Sequence, residues 1–427
     1  MMLKTTVVAF QILFFVFSWA VPAEEPVGGS ENSKPATTAE LQKNWPSFRG
    51  FGSMGRATDA TPPLTWSVKD SVNIHWQTPI AKHGMSSPVV WDDRLFLTGA
   101  DADSRDIYCF NIEDGELLWE HQVSHLPDSP IDGSLPRVLG ETGFAAPTVA
   151  TNGQLVAAVF ATGELVCLKL TGERVWALHL GAPHNHYGHA SSLTCNNELL
   201  FVQYDQREHG ELLALKMETG EPVWRVSRDQ MAWSSPILFD NNGRAELILT
   251  DSKWLSSYNP KNGEQLWQVE CFRGEVASSA AGSGELVFAS NEGAAAAAFD
   301  VSNHAEGPQQ VWAWEGDLPD AASPVAASEY LIVPTAFGVV TCLDGTTGRV
   351  HWEHEFGQGF NSSPVVVEDR VYISDLSGKT QVFKLSETFE LLGESDIGEP
   401  IYATPAFVGD RVYIRGLSHI FCVRADQ

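Results

Sequence analysis

The chain is poor in cysteine and in positive charge. Six Cys in 427 residues cannot supply the dense disulfide framework of a small secreted domain. No CxxC, CxxCH or HExxH occurs, so zinc sites and c-type haem attachment have no sequence support. Lys and Arg number 27 against 54 Asp and Glu, a net charge of −27. That balance argues against nucleic acid and anionic membranes as partners. Long apolar runs are missing beyond the first 20 residues. The run from Val7 to Trp19 follows Lys4 and precedes a small-residue site at Val21-Pro22-Ala23. It is short for a membrane span, which needs about 20 residues, and reads as a secretory signal over 1–23. Residues 24–44 read as a polar, flexible leader, and 45–427 as one large domain. The first Cys is Cys109, so no lipid-anchor Cys follows the signal. The expected product is exported, periplasmic or extracellular, soluble and not membrane-spanning.

What is present is repetition. A strand, a tight turn ending in Gly and a second strand with a Trp four residues on recur with drift. Examples are Asn111 to Trp119, Met217 to Trp224, Asn259 to Trp267 and Gly345 to Trp352. A second marker, a small-small-Pro step, opens a β-rich run. It occurs at Ser86-Ser87-Pro88, Ala145-Ala146-Pro147, Ser234-Ser235-Pro236, Ser362-Ser363-Pro364 and Ala403-Thr404-Pro405. Variants stand at Ser191-Ser192-Leu193, Ser278-Ser279-Ala280 and Ala322-Ser323-Pro324. The eight anchors are spaced by 59, 46, 43, 44, 44, 40 and 41 residues. A period of roughly 40–45 residues is that of a four-stranded propeller blade. The long first spacing holds an insertion, Ser124 to Glu141, rich in Pro, Gly and Ser and read as a surface loop.

The fold class is therefore all-β: an eight-bladed propeller of four-stranded antiparallel blades. The last unit runs out after Ile420 to Val423 and lacks a fourth strand. The segment from Asn73 to Pro79 supplies a spare, because Trp76 stands 12 residues before Pro88 as Trp224 stands before Pro236. This strand is expected to close the last blade, removing the open sheet edges that template aggregation. Trp76, Trp119, Trp176, Trp224, Trp267, Trp312 and Trp352 share one position and are expected to wedge between blades. Each buried indole is worth roughly 4–6 kcal/mol at about 25 cal/mol/Å². Blade 7 has Leu392 where Trp is expected, so its joint should be the softest. Cys109, Cys167, Cys342 and Cys422 fall at matching third-strand positions. Equivalent positions in different blades lie too far apart for a disulfide, so these four read as small buried hydrophobes. Cys195 and Cys271 stay open.

These repeats resemble the quinoprotein-like family, whose unit carries Asp or a substitute, Thr-Gly, and Trp four residues later. The opening Trp45-Pro46-Ser47-Phe48-Arg49-Gly50 and the stretches His186 to Ser192 and Trp233 to Pro236 are similar to exported bacterial proteins built from such repeats. The resemblance implies one of two activities. One branch, including the BamB outer-membrane assembly factor, is non-catalytic and binds protein partners. The other consists of dehydrogenases that hold pyrroloquinoline quinone (PQQ) and calcium on the propeller axis. Several of those carry an adjacent Cys-Cys pair near the quinone, and none occurs here. One propeller fold hosts many activities. The expected function is an exported binding scaffold for a protein or ligand at the propeller mouth, with a PQQ-dependent alcohol or sugar dehydrogenase as the alternative.

Loops from strand two to three and from strand four to the next strand one share a face, opposite the Thr-Gly turns. That face carries the unusual chemistry: His184, His186, His189, Asp205, Arg207, Arg228, Trp233, Asp251, Lys253, Glu275, Asn291, Asn361, Asp375, Tyr402 and Arg415. The candidate ligand-binding set is His186, His189, Asp205, Arg228, Trp233, Asp251, Lys253, Glu275 and Asn361. His186 and His189 are polar contacts and Trp233 a stacking wall; the bland reading is a polar loop whose His residues cap backbone groups. Asp205, Asp251 and Asp375 follow second strands and suit acid–base work or calcium, or else cap turns. No catalytic residue and no metal ligand is assigned. For a quinone, Arg228, Lys253 and Arg415 would face its carboxylates, and Asp251, Glu275 or Asn361 a divalent ion.

Overall fold

A computed structural model describes residues 34–123, 126, 135–140, 142–185 and 187–425. The signal reading and most of the 124–141 insertion lie outside them. The second and third strands of a blade are buried along nearly their whole length, and the outer fourth strand alternates between exposed and buried side chains. Eight sheets result, at 89–123, 150–179, 194–228, 237–270, 281–314, 325–355, 365–396 and 406–424. Blade 4 is representative, with strands Ile237–Asn241, Arg244–Thr250, Trp254–Tyr258 and Gln265–Glu270. In blade 8 the strand Ile74–Pro79 is the outermost member, with Trp76 opposite Cys422 and Thr78 opposite Ile420. The ring closes as the spacing of Trp76 predicts.

The small-residue marker has a physical purpose. The backbone N–H of Ser87 donates to Thr148 Oγ1, that of Thr148 to Ser192 Oγ, and so on through Ser235, Ser279, Ser323, Ser363 and Thr404. Thr404 N–H returns to Ser87 Oγ. Eight bonds of 2.8–3.1 Å thus form an unbroken belt around the axis. Every belt residue stands two before its first strand. This corrects the second anchor: the equivalent residue is Thr148, not Ala146, and the first two spacings are 61 and 44. The belt needs a hydroxyl, and the following Pro is dispensable, since Val149, Leu193 and Ala280 take its place.

The Trp wedges follow one rule with one exception. The indole N–H of Trp76, Trp119, Trp176, Trp224, Trp312 and Trp352 donates to a carbonyl in the next blade at 2.8–3.0 Å. The turn Gly of that blade sits on the ring at five of these joints. A Cβ on Gly115, Gly172, Gly220, Gly263 or Gly348 would come within 2.6–2.8 Å of the indole. Glycine is therefore required there for close approach as well as for positive φ. Blade 5 has the longer turn Asp300 to Gly307, and Gly307 meets nothing. Trp267 instead donates to the buried carboxylate of Glu246 at 2.7 Å, which also accepts from Asn241, Ser257 and Arg244. Cys109, Cys167, Cys342 and Cys422 lie opposite four of the Trp residues, and all four are buried free thiols. Cys195 and Cys271 are half-buried and also free.

The joint after blade 7 is filled from elsewhere. Trp66, 2% exposed, belongs to the buried apolar cluster that includes Val382, Ile397, Ile401 and Val412. Its backbone N–H donates to Ser395 Oγ, and Val68 N–H to Asp396 O, while its indole Nε1 has no partner. In the strand register Gly393, not Leu392, stands where other blades carry Trp, and the chain before the closing strand brings an indole to that joint. The expectation of a soft joint rests on the missing Trp; Trp66 supplies an indole there, and hydrogen exchange tests whether the joint is soft. Part of the predicted flexible leader is also ordered. Thr38–Lys43 is a helix with a Thr37/Glu40 capping box, and Ala36 and Leu41 pack on blades 1 and 2.

Candidate functional site

Between the helix and Trp66 the chain enters the axis and touches every blade. Trp45 pairs with Val90 of blade 1, and Pro46 O accepts from Thr151 N–H of blade 2. Ser53 Oγ reaches Thr194 of blade 3 at 3.4 Å. Gly52, at φ +64, lies so close to Leu238 O of blade 4 that a Cβ would be 2.7 Å away. Arg49 donates to Ala280 O of blade 5 and Pro324 O of blade 6. Arg56 and Ala57 add a parallel strand to blade 7. Trp45 meets Phe407 of blade 8 at 5.9 Å. Ala280 and Pro324 each follow a belt residue, so Arg49 fills the channel up to the belt. Positive φ at Arg49, Gly50, Gly52, Ser53 and Gly55 lets the segment fold back on itself.

The loop face gathers part of the predicted set over blades 3 and 4. Asp205 Oδ1 accepts from Arg228 Nε at 2.6 Å and Oδ2 from Nη2 at 3.1 Å. Arg228 Nη2 also reaches Asp251 Oδ2 at 3.2 Å, and Gln203 Nε2 donates to Asp205 at 2.7 Å. All four are buried. Bidentate pairing with a buried carboxylate keeps the guanidinium charged and raises its pKa. Burial pushes Asp251 above the ordinary carboxylate value although Arg228 pulls it down. Asp251 Oδ1 accepts from the N–H groups of Lys253 and Trp254, and Asp375 caps Ser377 and Lys379 in the same way. Both follow the turn-capping alternative.

A second group stands beside this one. Trp233 Nε1 donates to Asn185 Oδ1 at 2.8 Å. Tyr187 meets Trp233 edge-on at 5.0 Å and donates to Glu275 Oε2 at 2.7 Å. His189 is 1% exposed, lies 4.8 Å from the Tyr204 ring, and has no partner at Nε2. Burial lowers its pKa to about 4, so it is neutral at pH 7 and is a core imidazole rather than an exposed contact. Lys253 points away, over Trp254 at 4.4 Å and toward Glu270 at 3.6 Å. Asn361 is half-buried at the entry to blade 7 and does not join the group. His186 lies outside the described residues.

Two cavities open on this face and share Arg207. One of about 980 Å³ is lined by His179, Tyr204, His209, Arg225 and Arg228. The other, about 590 Å³, is lined by Arg137, Leu139, His184, Asn185 and Tyr187. Both fall in the size range of ligand sites. Sequence reasoning missed Asn185, Tyr187 and Gln203. Tyr187 lies within the family-like stretch His186 to Ser192, but only the spatial neighbours Trp233, Glu275 and Asp205 give the three a role.

The fold and the Thr-Gly…Trp unit define a quinoprotein-like β-propeller. The family model described as outer membrane protein assembly factor BamB matches residues 64–207, 208–320 and 251–414, and the chain belongs to that family. BamB of Shewanella oneidensis is 21% identical over 318 residues, covering 73% of this chain and 63% of that protein. An uncharacterised Rickettsia conorii protein is 23% identical over 186 residues, covering 42% of this chain and 39% of its own length. The match thus spans less than two thirds of either curated relative. Among solved structures, BamB from Moraxella catarrhalis superposes with TM-score 0.63 at 13% identity, covering 82% of this chain and 97% of that one. A europium-containing methanol dehydrogenase gives 0.68 at 10% identity, covering 89% and 92%. At these identities the structural likeness concerns the fold.

The residues gathered over blades 3 and 4 do not fit the quinone and its ion. Arg228 is committed to two carboxylates and Lys253 to Glu270. Asp251 spends one oxygen on a turn and the other on Arg228. Among the described residues no three His, Cys, Asp or Glu side chains converge as a metal set. No helix among them is long and apolar enough to cross a membrane.

Proposed function

We propose that this protein is an exported propeller scaffold that offers the face over blades 2–4 to a protein partner. The filled axis is the observation that carries the reading. With Arg49 raised to the belt by a segment tied to all eight blades, the axial position is taken by the chain itself. The polar groups predicted for a ligand are instead spent on one another. Membership of the BamB family supports a partner-binding role, and the N-terminal 1–23 pattern supports export. The Arg137, Arg207 and His184 rim gives a locally basic patch on a strongly acidic protein, suited to acidic segments of a partner.

The test is calorimetry of the full chain against the outer-membrane assembly component of its own host. Arg207→Glu should weaken binding about tenfold or more, the cost of placing like charges across an interface. An unchanged affinity would remove this face from the proposal. Adding PQQ and calcium is the competing arm: tight uptake would favour the dehydrogenase reading instead.

A further inference from the structure

Arg415 is an outlier in the repeat. Strand pairing sets Val89 opposite Phe96, Thr194 opposite Phe201 and Ala406 opposite Tyr413. Two residues beyond that partner, the first seven blades place Thr98, Val159, Gln203, Thr250, Ser290, Pro334 and Ser374. Blade 8 places Arg415. The repeat therefore does not call for a cation here.

The side chain is 2% exposed. Its Nη1 donates to Ser86 O at 3.1 Å and to Ser86 Oγ at 2.6 Å. Its Nε and Nη2 have no partner, and neither does the buried hydroxyl of Tyr108 nearby. No carboxylate pairs with it among the described residues, although Arg228 buries the same Nε/Nη2 edge against Asp205. Burial, and then the charge of Arg415, hold His83 below its ordinary value. Burial lowers the pKa of Arg415 itself to about 9.

We infer that the Nε/Nη2 edge of Arg415, with the Tyr108 hydroxyl, holds a small planar oxyanion of the size of formate, nitrate or bicarbonate. A guanidinium edge offers two parallel N–H groups matched to two oxygens. A buried cation without a counter-charge is costly, and a water supplies hydrogen bonds but no charge. The depth of the site excludes a macromolecular carboxylate. Gly84 borders it: a Cβ there would stand 2.7 Å from Nη2 and 2.6 Å from the backbone oxygen of Thr98.

The full chain is titrated with ¹³C-formate, read by NMR line broadening, with nitrate as competitor. Saturable binding, displaced by nitrate and weakened about tenfold or more in Arg415→Met, is the expected result. Arg415→Lys keeps the charge but loses the two parallel N–H groups of the edge, and should weaken formate several-fold; it serves if Arg415→Met does not fold. Tyr108→Phe should lose a smaller factor. Formate that fails to bind, that binds Arg415→Lys and wild type alike, or a crystal grown in formate with an ordered water only at Arg415, would overturn the inference.

Discussion

Two sectors of the ring solve the same problem with different means. Over blades 3 and 4 the interior is polar, and its charges are settled locally: Arg228 grips Asp205 and touches Asp251. From blade 7 to blade 1 the joint is aromatic and is completed from a distance. Trp66 and Trp76 come from the N-terminal segment to fill blades whose own sequence is deficient. Where one repeat contains all its parts, its neighbours need only pack. Where a repeat lacks a part, the chain returns to supply it, and stability there depends on residues more than 300 positions away.

Removing that borrowed indole is the sharpest way to break the comparison. Trp66→Ala deletes a fully packed ring and leaves a cavity at the 7–8 joint. The expected loss is about 4 kcal/mol by denaturant unfolding, in the range of large aromatic truncations. Hydrogen exchange in residues 391–396 and 406–408 should rise together, while blades 3 and 4 keep their protection. Exchange rising evenly around the ring would mean that the joint is not a local lock.

The polar sector should reveal itself through pH. His189 is buried neutral, with its pKa lowered from 6.5 to about 4. The unfolded chain binds the proton first as pH falls. The contribution is therefore complete above pH 6.5 and is lost as pH drops toward about 4. The span corresponds to roughly 3 kcal/mol. Carboxylates held low by partners, such as Glu113 beside Arg411, also lose stability in acid, so the measurement is a difference. Wild type and His189→Phe are unfolded at pH 7 and pH 4.5. The variant should lose less between the two values; parallel losses would show that His189 does not titrate with folding.

The ring was legible because it rests on period. Small residues, Thr-Gly and Trp recur at fixed intervals, and closure through Trp76 followed from a spacing of 12. Two features escaped. The small-small-Pro pattern points to Ala146, whereas the belt needs one hydroxyl and uses Thr148. The axial segment was noticed only as a family-like opening, since Arg49 and Gly52 gain their meaning from carbonyls in blades 4 to 6. Of the candidate set, Asp205, Arg228 and Asp251 do meet, as do Trp233 and Glu275 through Tyr187. They were chosen for sharing a face. Whether such groups bind a ligand or one another depends on angles and burial, which spacing does not contain.

The smallest expected effect asks whether the two sectors differ at the belt. Ser279→Ala strips the acceptor from Ser235 N–H inside the polar sector, and Ser87→Ala strips it from Thr404 N–H at the closure. Each leaves one buried amide unpaired, at a cost of about 1–2 kcal/mol. The two bonds are 2.9 and 3.0 Å long, and both link neighbouring first strands in the same geometry. Their losses should therefore agree within about 0.5 kcal/mol, and the double variant should be additive because the sites share no partner. A markedly larger loss for Ser87→Ala would mean that the belt, and not only Trp66 and Trp76, carries the closure of the ring.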